Sequence, residues 1–406
     1  MNDVELTVGR SRWTVSIPPE KRVPLHPEGT GNPIAPVRLL LQQALQQPIR
    51  FEPLRRILTP DDSIVIVFDE RLPQCVTLLQ GVVEELQSAG IAPGQITVLT
   101  APGAQQAWLD DLPESLREIR RLVHAPEDRQ QLAYLASTQA GRRLYWNSAL
   151  VEADQILVLT SHRPDLVAGE LSGTTALWPR FSDQATIDEW AARWERKSRN
   201  DYAHDLQEEA LEAASLLGIP FMIEVIESSQ DSIDSILAGL SEITPDVRSQ
   251  HLQRWGNTIH QRASLVIATI SGDPRRHDFD DICRALRAAR KAVDPGGWLL
   301  LLTEIHPNFP ESMQALRHAD DPADAIRPLS KRKGLDRVPA LDWALAANRA
   351  RLALAVDLDP ETLEDLAALH VADVRSVQRL IDSCDSVLVL PDAHQIRLRL
   401  SDAPTT

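Results

Sequence analysis

The chain has 406 residues, with 42 Lys+Arg against 58 Asp+Glu, a formal net charge of −16 and 43% apolar residues. That length holds two or three domains, and the apolar fraction is that of a folded globular chain. The negative balance speaks against nucleic acid and anionic membrane surfaces as partners, because both select basic faces, and no apolar run approaches the roughly 20 residues of a membrane-spanning helix.

The start, "MNDVELTVGRSRW", lacks the basic-then-apolar pattern of a signal peptide. Cys75, Cys283 and Cys384 are far apart, which reads as free thiols in a reducing cytoplasm. No CxxC, HxH or HExxH occurs, so no metal site is expected. Lysine stands only at 21, 197, 291, 331 and 333.

In chain order, "SIVIVFD" (63–69) reads as a strand announced by the turn "TPDD". "CVTLLQGVVEELQSAG" (75–90) is an amphipathic helix with Gly90 placed past its end, and "QITVLTAPG" (95–103) completes a βαβ unit. "DQILVLTSH" (154–162) repeats the theme, followed by "LGIPFMIEVIES" (217–228) and "SIDSILAGL" (232–240), the latter read as a helix. A second series starts near 263 with the strand "ASLVIATISGDP", the helix "DFDDICRALRAARKAV", and the turn and strand "DPGGWLLLLTE". "LDWALAANRA" (341–350), "RLALAVDLD" (351–359) and the strand "DSVLVLPDA" (385–393) follow, and 304–340, rich in Pro and charge, reads as a surface excursion. The pattern predicts an α/β protein of two domains with mostly parallel sheets, 1–250 (with 395–406 possibly added) and 258–394, joined through 245–262. In such sheets ligands sit beyond the C-terminal strand ends. Loops 69–74, 100–106, 161–176 and 270–278 are therefore expected to converge on an interdomain cleft.

The helix "PVRLLLQQALQQPI" with "RFEPLRRILTPDDSIVIVFD", then "QITVLTAPGAQQ" and "PDLVAGELSG", resembles the N-terminal domain of the nickel-pincer lactate racemase family. "ASLVIATISGDPRRHDFDDICRALRAARKAVDPGGWLLLLTE" is similar to its C-terminal domain, so the resemblance spans about 35–393. It implies two α/β domains with the active site between them, a nickel pincer tethered to lysine, and racemisation or epimerisation of 2-hydroxy acids by hydride transfer.

Matched residue by residue, Ala168, Gly169, Ser172 and Gly173 fit the family's "HxxAGxSGGxK" segment, but Ala176 stands where the tethering lysine belongs. Asp165 replaces the catalytic histidine ahead of the Ala-Gly pair, with His162 three residues earlier, and Gln105 replaces the other catalytic histidine. The nickel-binding histidine falls near Ala191. The pincer-contacting loop is represented by Asp69, Arg71 and Pro73, the substrate-binding pair by Asp281 and Arg284, and an active-site tryptophan by Trp343.

Arginine cannot replace the tether, which needs a primary amine on a flexible stem. Gln105 does not titrate, and Asp165 as a base at neutral pH needs a raised pKa; otherwise it caps the following segment. Asp69 and Arg71 are ligand contacts or an ion pair closing the sheet end. "SGDPRRHDF" (271–279) is an anion-binding fork or a charge cluster with Asp278 as N-cap. The Asp281–Arg284 pair is expected to be exposed on one helix face, with Arg284 offering its fork to a carboxylate and Trp343 forming an apolar wall. Two readings stand. One is a family member without the pincer or any other cofactor that binds a small anionic metabolite in the cleft. The other is a divergent 2-hydroxy-acid racemase or epimerase, an isomerase with altered acid–base residues or an untethered pincer.

Overall fold

The computed structural model describes residues 3–104, 106–194 and 199–401. Strand Ile64–Phe68 is buried along its whole length, as a parallel strand covered on both faces must be, and this explains its unbroken run of β-branched and aromatic residues. It pairs in parallel with Ile96–Thr100 on one side and Gln155–Ser161 on the other. Arg120–Val123 and Phe221–Glu227 extend the sheet in parallel, and Ile233–Gly239 closes one edge antiparallel to Phe221–Glu227. Helix Cys75–Ser88 covers this sheet through Leu78, Leu79, Val82, Val83 and Leu86, and Gly90 follows it with φ +98°.

The second half holds five parallel strands in the spatial order Ala368–His370, Arg351–Ala355, Val293–Leu302, Ala263–Thr269 and Val387–Leu390. The protein is thus a two-domain α/β architecture with mostly parallel sheets. Among the described residues, no helix is long and apolar enough to cross a membrane.

Three features depart from the sequence reading. Residues 232–240 form the edge strand, not a helix: Gln230 and Asp231 take positive φ in a tight turn, and the Ser228 amide bonds the Ser232 carbonyl at 2.8 Å. That turn folds the segment back on its neighbour, and packing overrides a weak helical period. Residues 304–340 are not a surface excursion, since helix Pro322–Lys331 buries Ala325 and Leu329, and Met313 and Leu316 join the same core. Finally, the hairpin of Asp3–Val8 and Ser11–Ser16 packs Leu6, Val8 and Val15 onto Leu265, Ile267, Leu300 and Leu302 of the second sheet.

Both chain ends therefore meet the opposite half. Strand Arg397–Leu400 pairs with Gly256–Ile259, which also pairs with His26–Pro27. The two halves share one apolar core, with Val67, Val158 and Trp178 in the same cluster as Ile282 and Leu286. The Arg337 guanidinium of the second half lies 4.7 Å from the Trp194 ring of the first, a cation–π contact across the seam.

Candidate interdomain site

Three of the four expected loops meet where the strands of both sheets end. Asp69, one residue past Ile64–Phe68, accepts from Arg163 at 2.7 Å, and its other oxygen accepts the Arg71 amide at 3.1 Å. Burial raises the Asp69 pKa, but the Arg163 and Arg71 guanidiniums outweigh it and hold the carboxyl well below its ordinary range. Arg71 reaches across to ion-pair with Asp278 of the second half. Arg276 returns the contact, pairing with Asp231 and with Glu227 (2.6 Å) and donating to the Arg71 carbonyl at 2.9 Å. The strand-end charges thus join the domains. The loop at 100–106 comes close as well, with the Gln106 amide donating to Glu70 at 2.8 Å; Gln105 itself lies outside the described residues.

Asp278 caps helix Phe279–Ala292 through the Asp281 amide, and Asp281 bonds back to the Asp278 amide at 3.0 Å. Asp281 also ion-pairs with Arg284, whose Nη1 donates to the Pro164 carbonyl at 2.7 Å. This pair is buried, with Asp281 2% and Arg284 7% exposed, which corrects the expectation of an exposed pair. The helix packs this face against the first domain, so the Arg284 fork is already engaged. Burial, with Arg163 and Arg71 beside it, pulls the Arg284 pKa down to about 10.

Other matched positions have structural occupations. Trp343 is not a cleft wall: it is fully buried, stacked near Phe279 and Phe309, and its indole N–H donates to the Leu366 carbonyl at 2.8 Å. Its neighbours on helix Arg337–Arg349 are buried as well, so the helix carries it into the core. Ser172 is the buried N-cap of helix Gly173–Leu177. Gly173 is small because a Cβ there would stand 2.5 Å from Met222 Sδ. Ala176 is buried in the core cluster, its methyl offering no amine. Lys21 is committed elsewhere, donating to the Ile381 and Asp382 carbonyls, and Lys197 lies outside the described residues. The site therefore does not fit a lysine-tethered pincer at position 176. Asp165 accepts the Val167 and Ala168 amides at 2.8 and 2.7 Å. Burial pushes its pKa up, but these amides and Arg180 bring it below the ordinary value. That suits a capping carboxylate and opposes the raised pKa of a general base. His162 is buried between Glu224 (3.4 Å) and Glu170 (3.9 Å), with its ring 5.2 Å from that of His251.

Beside this seam lies a cavity of about 490 Å³ between the domains. The first half lines it with Asp165, Glu170, Arg248 and His251; the second with Arg284, Arg287, Lys291, His394, Arg397 and Arg399. Glu170 is shared by Arg248 and Arg397 (3.0 Å). Arg287 bonds Asp342 and the Asp165 and Leu166 carbonyls. Lys291, at the mouth, has no protein acceptor for its ammonium among the described residues. Partial desolvation and then Arg287, Arg397 and Arg290 lower its pKa. Spacings of 3 and 7 put Arg284, Arg287 and Lys291 on one helix face, a signal present in the sequence. Arg248, His251, His394 and Arg397 come from elements distant in sequence, and no local pattern announces them.

His277 stands at the seam beside this cavity, with its ring 5.0 Å from that of His394. Burial and then Arg276 bring the His277 pKa down to about 4, and burial and His277 bring that of His394 well below its ordinary value. Both shifts favour the neutral imidazole.

Residues 8–199 match the family model described as the lactate racemase N-terminal domain. Over the whole chain, the structure is similar to that of the lactate racemase apoprotein from Thermoanaerobacterium thermosaccharolyticum, with a TM-score of 0.78 at 18% identity, covering 98% of this chain and 100% of that one. A structural-genomics protein from Thermotoga maritima superposes with a TM-score of 0.60 at 11% identity, covering 83% of this chain and 93% of that one. At these identities the superpositions establish the fold alone. No curated protein matches the sequence significantly. The match to the lactate racemase N-terminal domain thus lies in the first half of the chain, and the whole length follows the fold of that apoprotein.

Proposed function

We propose that this protein is a member of the lactate racemase family that binds a small anionic metabolite, a 2-hydroxy acid or a similar carboxylate, in the interdomain cavity, and that it does so without a tethered nickel pincer. The observation that carries the reading is the Lys291 ammonium, left without a protein acceptor among arginine guanidiniums in a chain of net charge −16. Clustered cations that depress one another's pKa are relieved by an anion, and a carboxylate suits the guanidinium and ammonium donors of the wall. The alanine at 176 and the lowered pKa of Asp165 weigh against the family's hydride and proton chemistry, and so against the racemase or epimerase reading. Three unpaired cysteines suit a reducing, cytoplasmic setting.

The test is a thermal-shift and calorimetric panel of small hydroxy acids on wild type and Lys291→Ala, together with the intact mass of the purified chain. Wild type is expected to be stabilised by at least one acid, the variant to lose about tenfold or more in affinity, and the mass to equal that of the unmodified sequence. A panel with no stabilising acid overturns the binding reading, and a covalent cofactor adduct overturns the rest.

A further inference from the structure

His277, Asp281 and His394 come from three separate places. His277 is in the loop after strand Ala263–Thr269, Asp281 is in the first turn of helix Phe279–Ala292, and His394 is in the loop after strand Val387–Leu390. The two strands are parallel neighbours, so their C-terminal ends deliver all three side chains to one spot. The nitrogen and oxygen atoms they offer lie within 4.8 Å of one another.

Hydrogen bonding leaves this group short of protons. His277 places Nε2 3.2 Å from the Ser271 carbonyl and Nδ1 3.3 Å from Asp281 Oδ2. Both neighbours are acceptors, and a neutral imidazole has one N–H. With that proton on Nε2, donated to the carbonyl, the Nδ1 lone pair faces a carboxylate oxygen. His394 is 4% exposed, and its Nδ1 is buried with no hydrogen-bond partner. Arg284 engages Asp281 through Oδ1, so Oδ2 is the oxygen turned toward His277, with the Asp278 amide as its donor at 3.0 Å.

We propose that His277, Asp281 and His394 bind one divalent first-row transition ion, in a two-histidine, one-carboxylate site adjoining the interdomain cavity. The ion replaces the acceptor–acceptor contact of His277 with two bonds and takes one nitrogen of the buried His394 ring as its third ligand. Imidazole and carboxylate suit zinc and its neighbours in the series, and three protein ligands leave coordination positions open. The Ser271 carbonyl performs the outer task common to such sites, fixing the His277 tautomer so that Nδ1 is free to ligate. Arg276 and Arg284 stand near and oppose a cation. Arg163 adds to that opposition at His394 and Arg71 stands 4.0 Å from Asp281 Oδ2, while Glu227 and Asp231 offset it at His277 and the Asp281 ligand carries its own negative charge. The site is independent of the anion-binding reading: its ligands differ from Lys291, and either can fail alone.

The experiment titrates the full-length, chelator-treated protein with Co²⁺ and with Zn²⁺, following the visible cobalt absorption, calorimetry and melting temperature. One ion per chain is expected, with a ligand-field band and a raised melting temperature. His277→Ala and His394→Ala should each weaken binding by more than about tenfold, whereas His306→Ala, at an exposed histidine, should not. His394→Gln, closer in shape, replaces His394→Ala if circular dichroism shows that variant unfolded. Absence of saturable binding by wild type overturns the proposal, as does undiminished binding in the folded His277 and His394 variants.

Discussion

The seam between the domains and the cavity beside it are both rich in arginine, yet their charges are handled in opposite ways. At the seam, Arg71, Arg276 and Arg284 are matched to Asp278, Glu227, Asp231 and Asp281. In the cavity wall, Glu170 serves two arginines, and Lys291 has no carboxylate among the described residues. The seam occupies positions matched to the family's substrate and pincer contacts, but its guanidiniums hold the two halves together. A buried cation already paired by the protein has little to offer a ligand, whereas one left beside other cations does.

The contrast breaks most visibly at Arg276. Arg276→Ala leaves Glu227, 6% exposed, and Asp231 without their cation, and should cost about 3–5 kcal/mol in denaturant unfolding. Arg284→Ala, which strands the buried Asp281, should cost about 3 kcal/mol. Either variant melting like wild type would show that the seam does not bear on stability.

Acid tests the same region with a somewhat smaller effect. The folded-state pKa of His277 is depressed from 6.5 to about 4. Its neutral burial therefore contributes stability that is full above pH 6.5 and is lost as pH falls toward 4. With chelator present, about 2 kcal/mol should be gone by pH 5, and His277→Gln should flatten that slope. The depressed carboxylates Asp69 and Glu227 add their loss only below their ordinary range, from about pH 4 downward. Equal stability at pH 7 and pH 5 would mean that His277 is not buried as a neutral ring.

Much of this architecture is readable from periodicity alone. Ile64–Phe68 and Phe279–Ala292 lie where their patterns place them, because a two-sided strand and a one-faced helix leave unmistakable spacings. Residues 233–239 misled because a tight turn, and not their own propensity, decided their state. Residues 304–340 misled because Pro and charge marked helix ends and one face of helices whose other face is buried. Of the site, Asp69 and Arg71 were legible as strand-end residues, and Asp278 as a cap. Trp343 was not, since chain position says nothing of the direction in which its helix rotates it. The convergence of His277 with His394, and of Lys291 with Arg397, depends on which strands lie side by side; no local spacing encodes that order.

The smallest expected change is also the one that separates the two regions most cleanly. Lys291 is exposed at the mouth of the cavity, and the surrounding Arg287, Arg397 and Arg290 disfavour its charge. Removing it breaks no protein hydrogen bond and relieves like-charge repulsion, so Lys291→Ala should unfold within about 0.5 kcal/mol of wild type, on either side. Its neighbours Arg287 and Arg284, one and two turns back on the same helix, are tied to Asp342, to backbone carbonyls and to Asp281. A single helix face thus runs from a structural arginine pair to a free amine. If Lys291→Ala melts as far below wild type as Arg276→Ala does, the amine has a structural partner and the distinction between seam and cavity fails. If its stability is kept while hydroxy-acid binding is lost, the unpaired charge belongs to the ligand.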